Sequence, residues 1–181
     1  MKIEILIKEL NGKQKEIEEY ARTTFPKRAA KMSVDHYKEN FVKGGFVNGG
    51  LHTWKDPRRR EKPTKYANSQ YKTLLSGGNN LYKSIRGEVE EGKATIRTDR
   101  EYAAIHNFGF RGTQYVKPHK RNRTVGLMSL KERKELRTGG QNVKGHSRQM
   151  NMPQRQFIGH SQELNEKLRQ TAVRDLERIL K

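Results

Sequence analysis

At 181 residues the chain has the length of one domain, and its 39 Lys and Arg against 20 Asp and Glu give a formal charge of +19. It has no cysteine, which excludes a disulfide framework, a thiolate zinc finger and a cysteine nucleophile. Only about a fifth of the residues are Leu, Ile, Val or Phe, the compositional edge of disorder, so a large uniform core is not expected.

Ile3, Leu6, Ile7 and Leu10 fit an amphipathic helix, while Ile3, Ile5 and Ile7 fit a strand equally well. Asn11-Gly12 is a possible interruption, after which Ile17, Tyr20 and Thr24 continue a helical stripe. Pro26 lacks an N–H, so it should end one helix and begin the next. Ala30, Val34, Tyr37 and Phe41 then share one helical face. The glycines of Phe41 to Gly50 break regular structure, Trp54 follows in a loop, and Lys55 to Lys65 reads as an exposed basic connector. Tyr71, Leu74 and Leu75 suggest a short helix ending at Gly77-Gly78, with Asn79-Asn80 capping another turn that carries Leu81, Tyr82 and Ile85. Ile85, Gly87 and Val89 alternate, Glu91-Gly92 turns the chain, and Ala94 and Ile96 alternate back, which predicts a hairpin.

Glu101 to His106 predicts a short helix, with Tyr102, Ile105 and Ile85 expected to pack together. Residues 111–155 hold 12 Lys and Arg against only Glu132 and Glu135. Their composition reads as a long, basic, flexible insertion at 111–150, with one short helix around Val125, Leu127, Met128, Leu130 and Leu136. The closing helix carries a stripe of Leu164, Leu168, Ala172, Val173, Leu176, Ile179 and Leu180, with Ser161 as N-cap and Glu163 in its first turn. Helices, hairpin, helix in that order predict an α+β fold, with N-terminal helices, a small antiparallel sheet built on the 85–97 hairpin and a long C-terminal helix. The whole chain, 1–181, is expected to form a single domain. No apolar run reaches membrane-spanning length and no leader pattern occurs, so neither a membrane partner nor secretion is expected.

Chemistry-bearing patterns are sparse. His106-Asn107, with His119 and His146, could begin a metal-dependent nuclease site, but these histidines have neither carboxylate company nor short helical spacing. His106 reads instead as a structural or turn residue. Residues 44–50 lack the order of a phosphate-binding loop. No catalytic residue, metal ligand or cofactor is assigned. The charge is the loud signal, and it predicts polyanion contact, with Arg58, Arg59, Arg60, Lys120, Arg121 and Arg123 as candidates. Only Tyr115 is aromatic in the basic segment, so a stacking platform for single strands is not indicated.

The order of several segments carries more. Phe41 to Gly50 and Trp54, then Leu74 to Ile85, then the hairpin, then Tyr102-Ala103-Ala104-Ile105-His106-Asn107-Phe108-Gly109, then Met152-Pro153-Gln154-Arg155-Gln156-Phe157-Ile158-Gly159, resemble the phage virion morphogenesis family. That family includes tail-completion proteins of Mu-like and other tailed phages, and the resemblance runs over roughly residues 30 to 180. It departs from the family pattern at Gly78-Asn79-Asn80-Leu81, which inserts extra residues, and in the long basic segment after Gly109.

The resemblance implies a non-enzymatic virion protein, assembled in the bacterial host cytoplasm, that acts in tail completion or head–tail joining. Its implied partners are other virion proteins, the tail tube or the head–tail connector, and further copies of itself in a ring; to these the basic charge adds non-specific DNA contact. Gly78, Tyr102, His106, Gly109, Arg155 and Phe157 are the motif positions it marks as interface or turn residues. Arg155 has two readings, a surface charge or a fixed bidentate donor to a carboxylate or backbone. Phe157 reads as a core anchor placed like a staple before the final helix. The alternative from another class is a small basic nucleic-acid-binding protein.

Overall fold

The computed structural model describes residues 2–61, 70–121 and 141–181, which fall into two compact units: 2–109 with 153–181, and 110–152. The fold is α+β, as the sequence predicts.

The first unit opens with a long helical rod: α1 (Lys2–Glu19), a π-helical turn (Tyr20–Thr24) and α2 (Phe25–Lys43). The N-terminal alternatives resolve to helix, and Asn11-Gly12 does not interrupt it. Pro26 begins α2 without breaking the rod, and the reason is a rerouted carbonyl. An α-helix would pair residue 26 with the Arg22 carbonyl, but proline has no N–H to give. That carbonyl accepts instead from Gly92 N–H at the turn of the predicted hairpin, at 2.8 Å, and Arg22 pairs with Glu91 alongside. Phe25 N–H reaches back to the Tyr20 carbonyl, the wider π spacing.

The rod ends at Gly44, whose φ of +73° makes the left-handed cap that glycine adopts without a Cβ penalty. The glycine-rich stretch does not remain irregular: β1 (Gly45–Val47) pairs antiparallel with β2 (Leu51–Thr53). Next come α3 (Arg58–Glu61), α4 (Asn80–Ser84), β3 (Arg86–Glu90), β4 (Lys93–Arg97) and α5 (Ala103–Phe108), and α6 (Gln162–Leu180) closes the chain. The β3–β4 hairpin has the expected Glu91-Gly92 turn, with Glu90 opposite Lys93. Tyr71 to Leu75 is turn rather than helix, and Leu74 takes a φ of +62°. Asn79 does not cap α4 with its side chain; it closes a local turn, its Oδ1 accepting from Ser76 N–H at 3.1 Å.

The core of this unit gathers Tyr37, Phe41, Phe46, Trp54, Leu81, Ile85, Ala103, Phe157 and Leu164. Phe41 stands at its centre, fully buried, with Trp54, Tyr82 and Phe157 rings at 5.5, 5.8 and 5.3 Å. Tyr102 is not part of it: the side chain is 42% exposed and Ala103 takes the inward position. The buried side of α6 is also turned from the expected stripe. Leu164, Thr171 and Asp175 face in, while Val173 and Leu180 are exposed. Asp175 faces in because it has partners on the rod, accepting from Tyr20 OH at 3.0 Å and pairing with Arg28.

The second unit is an antiparallel ribbon. β5 (Phe110–Val116) pairs with β8 (His146–Met152), and β6 (His119–Arg121) pairs with β7 (Gln141–Val143). The register is unbroken between the two ladders, where Lys117-Pro118 lies opposite Lys144-Gly145. The gap is proline's signature, since Pro118 cannot donate to a ladder. The helix expected around Val125 to Leu136 lies outside the described residues.

Candidate functional site

The segment Gln154 to Gly159 crosses the first unit without regular structure, and its backbone groups must still be paired. Four side chains from three places do most of this. Asn107 Oδ1, at the end of α5, accepts from the N–H groups of Phe157 and Ile158 at 2.9 and 3.0 Å. Asn40, with 0% exposure on α2, donates from Nδ2 to the Phe157 carbonyl at 3.2 Å. Trp54 Nε1 donates to the Gln156 carbonyl and Tyr37 OH to the Gly159 carbonyl, both at 2.8 Å. Arg155 N–H donates to the His106 carbonyl at 2.7 Å, and Gln154 Nε2 to the Asn107 carbonyl at 3.2 Å.

The result is a strap sewn to the core, with the Phe157 peptide held on both sides by asparagine amides and its ring fully enclosed. Ser161 then caps α6, its Oγ accepting from Leu164 N–H at 3.2 Å. Gly109, just beyond α5, has φ +74° and ψ 169°, a backbone combination essentially restricted to glycine. The chain leaves this unit there and returns at Pro153.

Trp54, the 74–85 turn and helix, the 102–109 segment and the strap are thus brought onto one core. In a comparison with protein families, the model of the phage virion morphogenesis family matches residues 49–177, well over half of the chain. The chain belongs to the phage virion morphogenesis family. No curated protein and no solved structure matches it. A role in phage virion assembly, in association with other virion proteins, follows from that membership.

Within the phage virion morphogenesis chain, the residues singled out in the sequence have distinct places. Arg155 is not a surface charge: it is 6% exposed and its Nε donates to the Lys55 carbonyl at 2.9 Å, with burial and then nearby Arg59 holding its guanidinium below the usual range. Phe157 is 1% exposed, the anchor its position suggested. His106 is half-buried with Nδ1 unpaired and packs edge-on against Tyr102, and burial, then the charge of Arg155, push its pKa down. Gly78 sits in the turn ahead of α4 beside the Asn80 side chain.

Arg59 and Arg60 have internal partners: Arg59 donates to the Lys72 and Leu75 carbonyls, and Arg60 pairs with Asp56 at 2.8 Å. Arg58 lies on α3 beside them, Lys120 is exposed on β6 and Arg121 ends that strand. Arg123 lies outside the described residues.

An isolated asparagine has no periodicity, so nothing in the sequence marks Asn40, and in the His106-Asn107 pair the histidine is the chemically conspicuous member while the amide makes the bonds to the strap. Among the described residues no group of three His, Asp or Glu side chains converges as a metal site would require, and no helix is long and apolar enough to cross a membrane. Asn107, Arg155 and Trp54, from three of the motif segments, direct their polar groups at the chain's own backbone.

Proposed function

We propose that this protein acts in tail completion or head–tail joining, as a non-enzymatic part that docks onto the tail tube or the head–tail connector. The observation that carries the reading is the strap. Asn107, Arg155, Trp54 and Tyr37 are polar side chains around the strap, and each spends hydrogen-bonding capacity on backbone carbonyls or N–H groups of the same chain. Such a frame fixes geometry and leaves its outer surface for partners. Self-association into a ring fits this role, because a repeated head-to-tail contact with the right rotation closes on itself. Assembly takes place in the bacterial host cytoplasm, where the partners are made.

The basic segment 111–150 is the part we take to carry the docking contact, and the test is complementation of a phage lacking this gene by a chain in which that segment is replaced by a short Gly/Ser linker. The first unit has its own core, so the variant is expected to keep its cooperative unfolding while failing to produce joined, infectious particles. Infectious particles at the wild-type titre would overturn the docking role of that segment.

A further inference from the structure

The ribbon of the second unit has a composition that the assembly role does not call for. Its described residues, 110–121 and 141–152, contain Arg111, Lys117, Lys120, Arg121, Lys144 and Arg148 and not one Asp or Glu. Arg111, Lys117, Lys120, Lys144 and Arg148 are all exposed. Alternation along a strand puts Arg111 on one face and Arg148 on the other, with Lys117 and Lys144 at the break between the ladders. The cations therefore come from both strands and both faces. Between them lie neutral side chains able to hydrogen-bond, among them Thr113, Ser147, Gln149 and Asn151, all exposed.

The described residues of this unit form two-stranded pairings with mostly exposed side chains, and a two-stranded ribbon by itself buries little apolar surface and is marginal in water without a partner. We propose that its partner is double-helical DNA, with the ribbon lying in the major groove and contacting phosphates without reading sequence. Three features favour DNA over an acidic protein face. The major groove is about 12 Å wide and admits a two-stranded ribbon. Phosphates line both its walls, so cations on both faces of the ribbon find partners, whereas a flat acidic patch would be met by one face only. Twelve residues per strand at about 3.4 Å each span about 40 Å, close to one helical turn of duplex. Hydroxyl and amide side chains are also usual phosphate donors. This inference goes beyond the assembly role and does not rest on it.

The experiment titrates the full-length protein into a fluorescent 30-base-pair duplex of arbitrary sequence and follows anisotropy at several salt concentrations. If all six cations contact phosphate, log Kd against log salt has a slope of about 5, and affinity falls about a thousandfold between 50 and 200 mM salt. R111Q/K117Q and K144Q/R148Q remove two cations from each strand, and each is expected to weaken binding and lower the slope by about 2.

Trp54 fluorescence checks that the first unit is unchanged. Polyglutamate of matched charge is the competitor for the acidic-protein alternative. A slope untouched by both double variants, a dependence on one pair alone, tighter binding to polyglutamate than to duplex, or more than tenfold preference among duplex sequences would each overturn the proposal. Wild-type titres from the linker variant, alongside normal DNA binding by the full-length protein, would count against the assembly role and leave this inference standing.

Discussion

Asn107→Ala isolates what the strap is worth. The substitution removes one oxygen and orphans two donors: the Phe157 N–H, buried, and the Ile158 N–H, partly buried. A buried donor left unpaired costs about 1–3 kcal/mol, and the partly buried one falls near the lower end, so the loss is about 2–4 kcal/mol. For a chain of this size that lowers Tm by about 10 °C. Trp54 reports the event directly, because it is the only tryptophan and its Nε1 is bonded to Gln156 of the same strap.

Urea unfolding followed by its fluorescence gives the free energy. Asn40→Ala acts on the opposite side of the same peptide, so the double variant should cost less than the two single losses together, by about 1 kcal/mol. A change below about 0.5 kcal/mol for Asn107→Ala, the range of an ordinary surface substitution, would refute the view that this amide holds the strap.

Other expectations follow from the same structure. Asp175→Ala strands the Tyr20 hydroxyl and unpairs Arg28, and should cost about 2–3 kcal/mol in the same unfolding assay. The Tyr20 phenol, pushed up to about 12 first by burial and then by Asp175, should ionise well above the ordinary tyrosine range in a spectrophotometric titration. Because the unfolded chain gives up that proton near 10 and the folded chain near 12, stability should fall as pH rises through this window, and Tyr20→Phe should remove that component. His36 and His106 are both held below 6.5, in each case chiefly by burial. Unfolded histidine takes a proton near 6.5 while these resist it, so stability present above that pH should decline as the solution is acidified, and H36Q/H106Q should flatten the profile. Gly109→Ala forces a side chain into a glycine-only conformation and should cost about 1–3 kcal/mol in a thermal melt.

What could be seen in the sequence was what packs with a period. Ala30, Tyr37 and Phe41 announce α2, Ser161 and Glu163 announce the start of α6, and Glu91-Gly92 sets the hairpin register. What could not be seen is held by polar atoms. Thr171 and Asp175 turn α6 inward because Asp175 meets Tyr20 and Arg28, a pairing across 155 positions for Tyr20 that no local pattern encodes. Pro26 looked like a helix end because the Gly92 N–H that satisfies the Arg22 carbonyl lies far along the chain. The β5–β8 ladder escaped notice for a different reason. Strands are recognised by apolar alternation, and Arg111-Gly112-Thr113-Gln114-Tyr115 has none: its side chains are mostly exposed whichever face they are on.

The strap residues were legible as a motif and illegible as a mechanism. Arg155 and Phe157 stand out by their order in the chain, but that Arg155 is buried and bonded to the Lys55 carbonyl emerges only when the loop of Trp54 and Lys55 folds against the strap. Asn107 is the clearest case: the neighbouring histidine attracts attention as a chemical group, while the amide beside it does the holding.

Electron microscopy of lysates from a phage deleted for this gene tests the assembly role most directly. If the protein joins or completes tails by docking, the deletion yields DNA-filled heads and tails that remain separate, and supplying the protein restores complete particles. Normal, fully assembled virions at undiminished titre in its absence would contradict that role.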